Sequence, residues 1–203
     1  ICGSHEVNVA KCVHGILSDV LRYHEENPSV WPQWELGNQY ISRIASRVDS
    51  RAHGELLLML QLLLPGTNNF YYGDELGMMD LDSDSEVPRQ RGAMQWADAY
   101  EGGFTSAEQS QVPINEDYRQ YNWGVSDQHY GVAIASIAIR FQDEWKKEKS
   151  TLKMFSKLSK LRTKDDTLMS GHTLLGELSG EAFTIVRYSK TGNDFIGSVS
   201  TSC

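Results

Sequence analysis

Cysteine is scarce in this 203-residue sequence, and the cysteines present match no metal site. They are Cys2, Cys12 and Cys203, and their spacing corresponds to none of the paired Cys or His motifs that hold zinc. We therefore expect neither a metal nor a cofactor. Three thiols cannot all pair within one chain. Cys2 and Cys12 can form a disulfide in an oxidising compartment, and Cys203 would then have no cysteine partner within this sequence.

Positive charge is also in short supply. The chain has 19 Lys and Arg against 27 Asp and Glu, a net charge of −8 and a pI near 5.2. Binding to a phosphate backbone needs clustered basic residues, so nucleic acid is excluded as an expected partner. The lysines that do cluster alternate with apolar residues at helical spacing, which favours a solvated helix face. They are Lys146, Lys147, Lys149, Lys153, Lys157 and Lys160.

No long hydrophobic run is present. The two longest apolar stretches, Leu56–Leu64 and Gly131–Ile139, are far shorter than the roughly 20 residues that span a bilayer. The sequence also shows no signal peptide or transmembrane segment. Any membrane anchor is expected to lie outside this chain.

The spacing of the apolar residues predicts helices and short strands. An i, i+3, i+4 repeat indicates a helix and alternation indicates a strand. The helices are predicted at Val9–Tyr23, Arg51–Leu64 and Lys149–Arg162, and the strands at Trp34–Asn38, Asn69–Tyr72, Phe183–Tyr188 and Asp194–Val199.

Four stretches carry motifs of one known protein family, and they follow one another in the order in which that family has them. They are WPQWELGNQYISRIASR (Trp31–Arg47), LLLPGTNNFYYGDELGMMD (Leu62–Asp80), RQRGAMQWADAYEGGFTSAE (Arg89–Glu108) and VPINEDYRQYNW (Val112–Trp123). Together they resemble the α-glucosidase or maltase branch of the α-amylase-type glycoside hydrolases, glycoside hydrolase family 13. The heavy subunits of heteromeric amino-acid transporters share this pattern, and a shared fold cannot choose between the two groups.

The resemblance implies an α/β fold, the C-terminal part of a (β/α)8 TIM barrel followed by the start of an all-β C-terminal domain. Residues 1–165 would form the barrel portion and residues 166–203 the truncated beginning of a β-sandwich. Segment 129–145 has no counterpart in the family pattern, and an insertion and a gene-model artefact are both open. Because a whole barrel takes about 250 residues, we expect the chain to be a fragment.

The main departure from the family lies at Asn38-Gln39-Tyr40, where the family has Asn-His-Asp. The resemblance makes these residues, with Arg43, the lining of the sugar pocket. It also implies a strand-end turn at Tyr72, Gly73, Asp74 and Glu75. The nucleophile and the general acid are expected upstream, so no catalytic residue is assigned within this chain.

The replaced pair changes the chemistry of that pocket. In the family the His-Asp pair hydrogen-bonds the sugar and stabilises the positive charge that develops on its ring. Gln39 offers a neutral amide and Tyr40 a neutral phenol, so neither supplies an anion. Losing each charge-assisted hydrogen bond slows turnover by about ten- to a hundred-fold. The remaining alternative is that the Asn is aligned one position out and a usable Asp stands nearby, but Asp49 lies nine residues beyond Tyr40.

Two further features have both a structural and a functional interpretation. Asp74 and Glu75 form a tempting acid pair, but neighbours on one strand point to opposite faces and cannot flank one glycosidic bond. This favours a turn that caps the barrel. Trp96 and Phe104 can stack on a sugar or anchor their loop by packing.

Function is therefore a choice between two classes. We expect a fragment that is catalytically incompetent by itself, from a non-catalytic homologue of the transporter heavy-subunit type whose partner is a membrane light subunit. The alternative is the C-terminal fragment of an active, retaining α-glucosidase that binds α-glucosides. Either way the missing N-terminal barrel half is a required partner, and the family implies an extracellular or cell-surface location.

Overall fold

The computed structural model describes residues 8–82, 84, 86–96, 100–108, 111–114, 145–146, 148–189 and 195–196. The helices are α1 Val9–Glu26, α2 Ile44–Arg47, α3 Arg51–Leu63, α4 Thr151–Lys164 and α5 Asp166–Ser170, with 3-10 turns at Asp74–Leu76, Arg89–Arg91 and Tyr100–Gly103. The strands are β1 Gln33–Glu35, β2 Thr67–Asn69, β3 His172–Leu175, β4 Ile185–Tyr188 and β5 Phe195–Ile196. The predicted insertion, 129–145, lies outside the described residues apart from Trp145.

Contacts along the chain divide it into two compact units. The first comprises Ile1–Trp34, Met59–Asn69 and Leu158–Cys203, and the second comprises Glu35–Leu58 and Phe70–Lys157. The predicted domain boundary after residue 165 rests on the family pattern and stays a prediction.

The first unit is built around helix α1. Asn8 caps the helix by accepting a hydrogen bond from the Lys11 N–H at 2.8 Å. One face of the helix then buries Ala10 and Leu17 against a cluster completed by Leu60, Leu64, Phe183 and Ile185. Burying each leucine, isoleucine or phenylalanine side chain of this cluster stabilises the unit by about 1.5–3 kcal/mol.

Two small sheets belong to the described part of the chain. Strands β1 and β2 pair with each other, and β3, β4 and β5 form an antiparallel sheet in that order. In β4 the side chains alternate, so that Ile185 and Arg187 are buried while their neighbours are less so. This is the pattern that a strand covered on one face requires.

The second unit has two apolar clusters. Ile44, Ala45 and Leu58 form one of them, and Phe70 packs against it. Phe70 also meets Phe155 edge to face, with 4.7 Å between the ring centroids. The other cluster contains Leu76, Met78, Met94 and Leu152.

Several predicted boundaries were wrong, each for a local reason. Helix α1 continues to Glu26, because the Asn27 backbone and side-chain amides both donate to the Tyr23 carbonyl and end it there. Strand β1 stops at Glu35, because Asn38 folds the next residues into a turn. Strand β2 ends at Asn69 rather than Tyr72, because the Asp74 N–H donates to the Tyr71 carbonyl at 3.0 Å and closes a turn there.

Candidate active-site turn and aromatic cleft

The Asn38-Gln39-Tyr40 segment is a tight turn closed by the asparagine. The Asn38 Oδ1 accepts hydrogen bonds from the backbone N–H groups of Tyr40, at 2.8 Å, and Ile41, at 3.1 Å. The Asn38 amide nitrogen in turn donates to the Glu35 carboxylate. A short polar side chain that bonds the backbone two residues on is the usual way to close such a turn. Tyr40 is left 75% exposed and Gln39 is also exposed.

The 3-10 turn Arg89–Arg91 holds this segment from the side. The Gln39 carbonyl accepts from the Gln90 side-chain amide at 2.6 Å and from the Arg91 Nε at 3.1 Å. The Arg91 guanidinium also lies over the Tyr40 ring, 5.7 Å from its centroid. The exposed turn is thus fixed through backbone and cation–π contacts.

Arg43 is buried below the turn. Its guanidinium carbon lies 4.7 Å from the ring centroids of both Tyr71 and Tyr72, and its Nη1 donates to the Tyr72 carbonyl at 2.6 Å. Its backbone N–H donates to the Asp80 carboxylate at 2.9 Å. The arginine therefore fixes the turn to the aromatic pair through its side chain and to Asp80 through its backbone.

Asp74 and Glu75 follow the aromatic pair in a 3-10 turn, not on a strand, so the argument from alternating strand faces does not apply to them. The turn begins at Gly73, which has φ +88°, where an added Cβ would lie 2.3 Å from the Met78 sulfur. Each carboxylate accepts a nearby backbone N–H, Asp74 from Tyr71 at 3.2 Å and Glu75 from Gly73 at 2.9 Å.

Burial sets the protonation of this acidic pair. It raises the pKa of Asp74 to about 6, against the opposing charge of Arg43. It also raises the pKa of Glu75, whose carboxylate is partly stabilised by backbone hydrogen bonds. Both shifts follow from the cost of placing a charge where water is excluded.

An open cleft of about 540 Å³ lies beside the turn. Four aromatic residues line it, namely Tyr71, Tyr72, Trp96 and Phe104. Smaller apolar residues complete the apolar wall, and Glu75 and Arg91 supply one charge of each sign. Trp96 and Phe104 are 44% and 43% exposed, so their rings remain accessible to a ligand.

The structure brings together some of the predicted site residues. Tyr72 and Glu75 line the cleft directly, whereas Arg43 contacts it through the aromatic pair and Gln39 through Arg91. The role of Asn38, Gln39, Tyr40 and Arg43 as lining of a sugar pocket stays a prediction. Asp49, the alternative carboxylate, is exposed and bonded to His53, which lowers the pKa of Asp49.

Sequence reasoning missed Glu35 and Arg91. Glu35 precedes Asn38 by three residues, a spacing at which a turn brings side chains together. Arg91 lies 52 residues from the carbonyl it bonds, so no local signal could have revealed it. Among the described residues no group of acidic, His or Cys side chains could hold a metal ion.

The family model "Alpha amylase, catalytic domain" matches residues 6–171. The chain belongs to the α-amylase catalytic domain family. The resemblance inferred from the four motifs is therefore confirmed. The match ends one residue before β3 begins at His172.

Two kinds of α-amylase-family relative are similar in sequence. The amino acid transporter heavy chain SLC3A1 of Rattus norvegicus is 33% identical over 117 residues, covering 54% of this chain and 17% of that protein. The alpha-glucosidase of Culex pipiens is 26% identical over 168 residues, covering 81% of this chain and 26% of that protein. The chain thus spans about a sixth to a quarter of the length of these relatives.

A solved structure shows the fold. The trehalose-6-phosphate hydrolase of Bacillus licheniformis superposes with a TM-score of 0.65 at 19% identity, over 87% of this chain and 35% of that one. The chain accordingly has the fold of part of an α-amylase-family (β/α)8 barrel enzyme. None of the helices in the described ranges has the length and hydrophobicity to cross a membrane.

Proposed function

We propose that this chain is part of a non-catalytic α-amylase-family domain of the amino-acid transporter heavy-chain type. The observation that carries the proposal is the turn at Asn38-Gln39-Tyr40. Its asparagine oxygen is engaged in closing the turn, and its next two side chains are a neutral amide and a neutral phenol. No carboxylate stands where the family's acid would stabilise the transition state.

The energetic argument is one of missing charge. Glycosidic bond cleavage passes through a transition state in which the sugar ring carries positive charge. Carboxylates around the ring therefore bind the transition state more strongly than the substrate. Two lost charge-assisted hydrogen bonds, at about 1.5–3 kcal/mol each, correspond to a rate loss of about a hundred-fold or more. Glu35 does not replace them, since its carboxylate is bonded to the Asn38 amide.

Two further observations support the heavy-chain type. The rat protein of that name is 33% identical over its matched part. Cys12 is disulfide-bonded, which is typical of proteins in an oxidising compartment and supports an extracellular or cell-surface location. In this proposal the partner is a membrane light subunit that the domain escorts.

A second candidate is an active α-glucosidase that hydrolyses terminal α-glucosidic bonds. The coverage of the comparison favours it, because the Culex pipiens enzyme matches 81% of this chain whereas the rat heavy chain matches 54%. In either case we propose that the antiparallel sheet of β3, β4 and β5 begins a C-terminal β-domain, since the family match stops just before it.

Co-expression separates the two candidates. The protein that carries this chain is expressed in cells with a membrane transporter light subunit, and amino-acid uptake and co-precipitation are measured. A Drosophila melanogaster maltase, also similar to this chain, serves as the matched control. The proposal predicts that the light subunit precipitates with this protein, and that uptake rises above the level seen with the maltase. Equal uptake with both proteins, together with release of glucose from maltose, would overturn it.

A further inference from the structure

The charged groups of the aromatic cleft are not paired with each other. Glu75 and Arg91 both line it, and no ion pair joins them within the described residues. Opposite charges in one cleft would ordinarily neutralise each other by contact. Here each is held separately, which leaves both available to a ligand.

Glu75 supplies the negative charge of the cleft lining. Its Oε2 accepts the Gly73 N–H at 2.9 Å, which orients the group. The carboxylate also interacts with the backbone N–H of Glu75 itself, and the residue is partly exposed where it lines the cleft. Because burial raises the pKa of this carboxyl, a cationic ligand group beside it would restore the charged form.

Arg91 presents the opposite charge. Its Nε donates to the Gln39 carbonyl at 3.1 Å, which fixes the plane of the guanidinium. Its two Nη atoms make no hydrogen bond to any described residue, and the side chain is exposed. A guanidinium anchored at Nε with free Nη atoms can bind a carboxylate.

The rest of the cleft is apolar and has few free hydroxyl groups. The Tyr72 hydroxyl already donates to the Gly92 carbonyl at 2.6 Å, and the Tyr71 hydroxyl interacts with Tyr72. A neutral sugar needs several converging hydrogen bonds to replace those it makes with water. The lining instead offers aromatic and aliphatic surface, mainly from Met94, Trp96 and Phe104.

We propose that this cleft binds a zwitterion with an apolar side chain, with its ammonium group at Glu75 and its carboxylate at Arg91. Free α-amino acids and short apolar peptides share this chemistry. The cleft volume of about 540 Å³ lies within the range of about 300–1,000 Å³ common for small-molecule sites. The inference does not rest on the transporter proposal, since it follows from the charges and surface of the cleft alone.

The test varies the charges of the ligand. The purified protein that carries this chain is titrated calorimetrically with L-phenylalanine, with L-phenylalaninamide, which lacks the carboxylate, and with 3-phenylpropionate, which lacks the ammonium. We expect saturable binding of L-phenylalanine and about ten- to a hundred-fold weaker binding of each singly charged analogue. Leucyl-phenylalanine is a fourth ligand, and tighter binding of it assigns the site to peptides rather than free amino acids.

Matched variants test which residue binds which charged group of the ligand. In Arg91→Gln the preference for L-phenylalanine over its amide should disappear, while in Glu75→Gln the preference over 3-phenylpropionate should disappear. Arg22→Gln, an exposed arginine on α1, should leave all affinities unchanged. Circular dichroism checks the folding of each variant. The ligand series on the unmodified protein tests the proposal even if one variant fails to fold.

Two outcomes would overturn the proposal. One is the absence of saturable heat with either zwitterion. The other is that maltose binds at least as tightly as L-phenylalanine and that neither Arg91→Gln nor Glu75→Gln changes its affinity. That result would assign the cleft to neutral sugars.

Discussion

Arg43 is the residue on which the turn and the aromatic pair both depend. It is fully buried, with its guanidinium against Tyr71 and Tyr72 and its N–H on Asp80. Removing it leaves a cavity and takes away the side-chain donor to the Tyr72 carbonyl.

We therefore expect Arg43→Ala to lower the free energy of unfolding by about 2–4 kcal/mol, measured by urea denaturation. Arg43→Lys should recover only part of this, because a lysine lacks the planar group that stacks on both rings. Arg22→Ala removes an exposed arginine and should cost less than about 1 kcal/mol. A loss at position 43 no larger than this control would contradict the role given to Arg43.

The buried Asp74 should make the folding stability depend on pH, with a definite sign. Its folded pKa is raised from 3.8 to about 6 by burial, so the folded state binds a proton more tightly than the unfolded state. The stability that this proton supplies is fully present below about pH 4 and is lost as the pH rises through about 6.

Asp74→Asn removes this dependence because asparagine does not titrate. Relative to the unmodified protein, the variant should gain about 2 kcal/mol of stability between pH 4 and pH 7, in unfolding curves measured across that range. Asp19→Asn, which removes an exposed carboxylate, is the control. A difference between Asp74→Asn and the unmodified chain that stays constant with pH would contradict the account.

At the scale of single residues, the sequence showed which residue types occupy the candidate site, but not which atoms contact each other. The departure at Gln39-Tyr40 was visible because the flanking motif is specific. The engagement of Asn38 with its own turn was not, because the same residue types also occur in strands and pockets. The bond from Arg91 to Gln39 depends on tertiary structure alone.

At the scale of elements, two arginines satisfy the carbonyl end of helix α3. Arg162 donates to the carbonyls of Leu62 and Leu64 at 2.7 and 2.8 Å, and Arg187 reaches Leu63 at 3.3 Å. The last carbonyls of a helix have no partner within it and carry partial negative charge. Burial, with Arg162 nearby, lowers the pKa of Arg187 to about 10.

Arg187→Met should therefore destabilise the chain by about 2–4 kcal/mol, because it removes the donor that Leu63 shares with Thr167, Leu168 and Gly171. Thermal or urea unfolding measures the loss. Lys160→Met, at an exposed position of α4, should change stability by less than about 1 kcal/mol. Similar stability of both variants would show that these contacts contribute little.

Helices were predicted more accurately than strands, for a physical reason. The apolar repeat in α1 and α3 extends over several turns, and the two helices differ from their predicted bounds only at the C-terminal ends, which lie at Glu26 and Leu63. Strands β1 and β2 have three residues each, too few for a period to locate them. Turn chemistry at Asn38 and Tyr71 decided where they stop.

At the scale of the whole molecule, family membership followed from four ordered motifs, and the function did not. The family match over residues 6–171 fixes the fold, yet catalytic and transporter-associated relatives are both similar to this chain. The chain spans 17% of the length of the rat protein and 26% of that of the Culex pipiens enzyme, so similarity to them does not decide its function.

The most direct test of the central claim is the rate at which the protein carrying this chain hydrolyses a nitrophenyl α-glucoside. An insect maltase is the positive control. Because Gln39 and Tyr40 supply no anion to the transition state, we expect a rate at least about a hundred-fold below that of the maltase. Saturable hydrolysis with a rate near that of the maltase would contradict it and assign the protein to the active α-glucosidases.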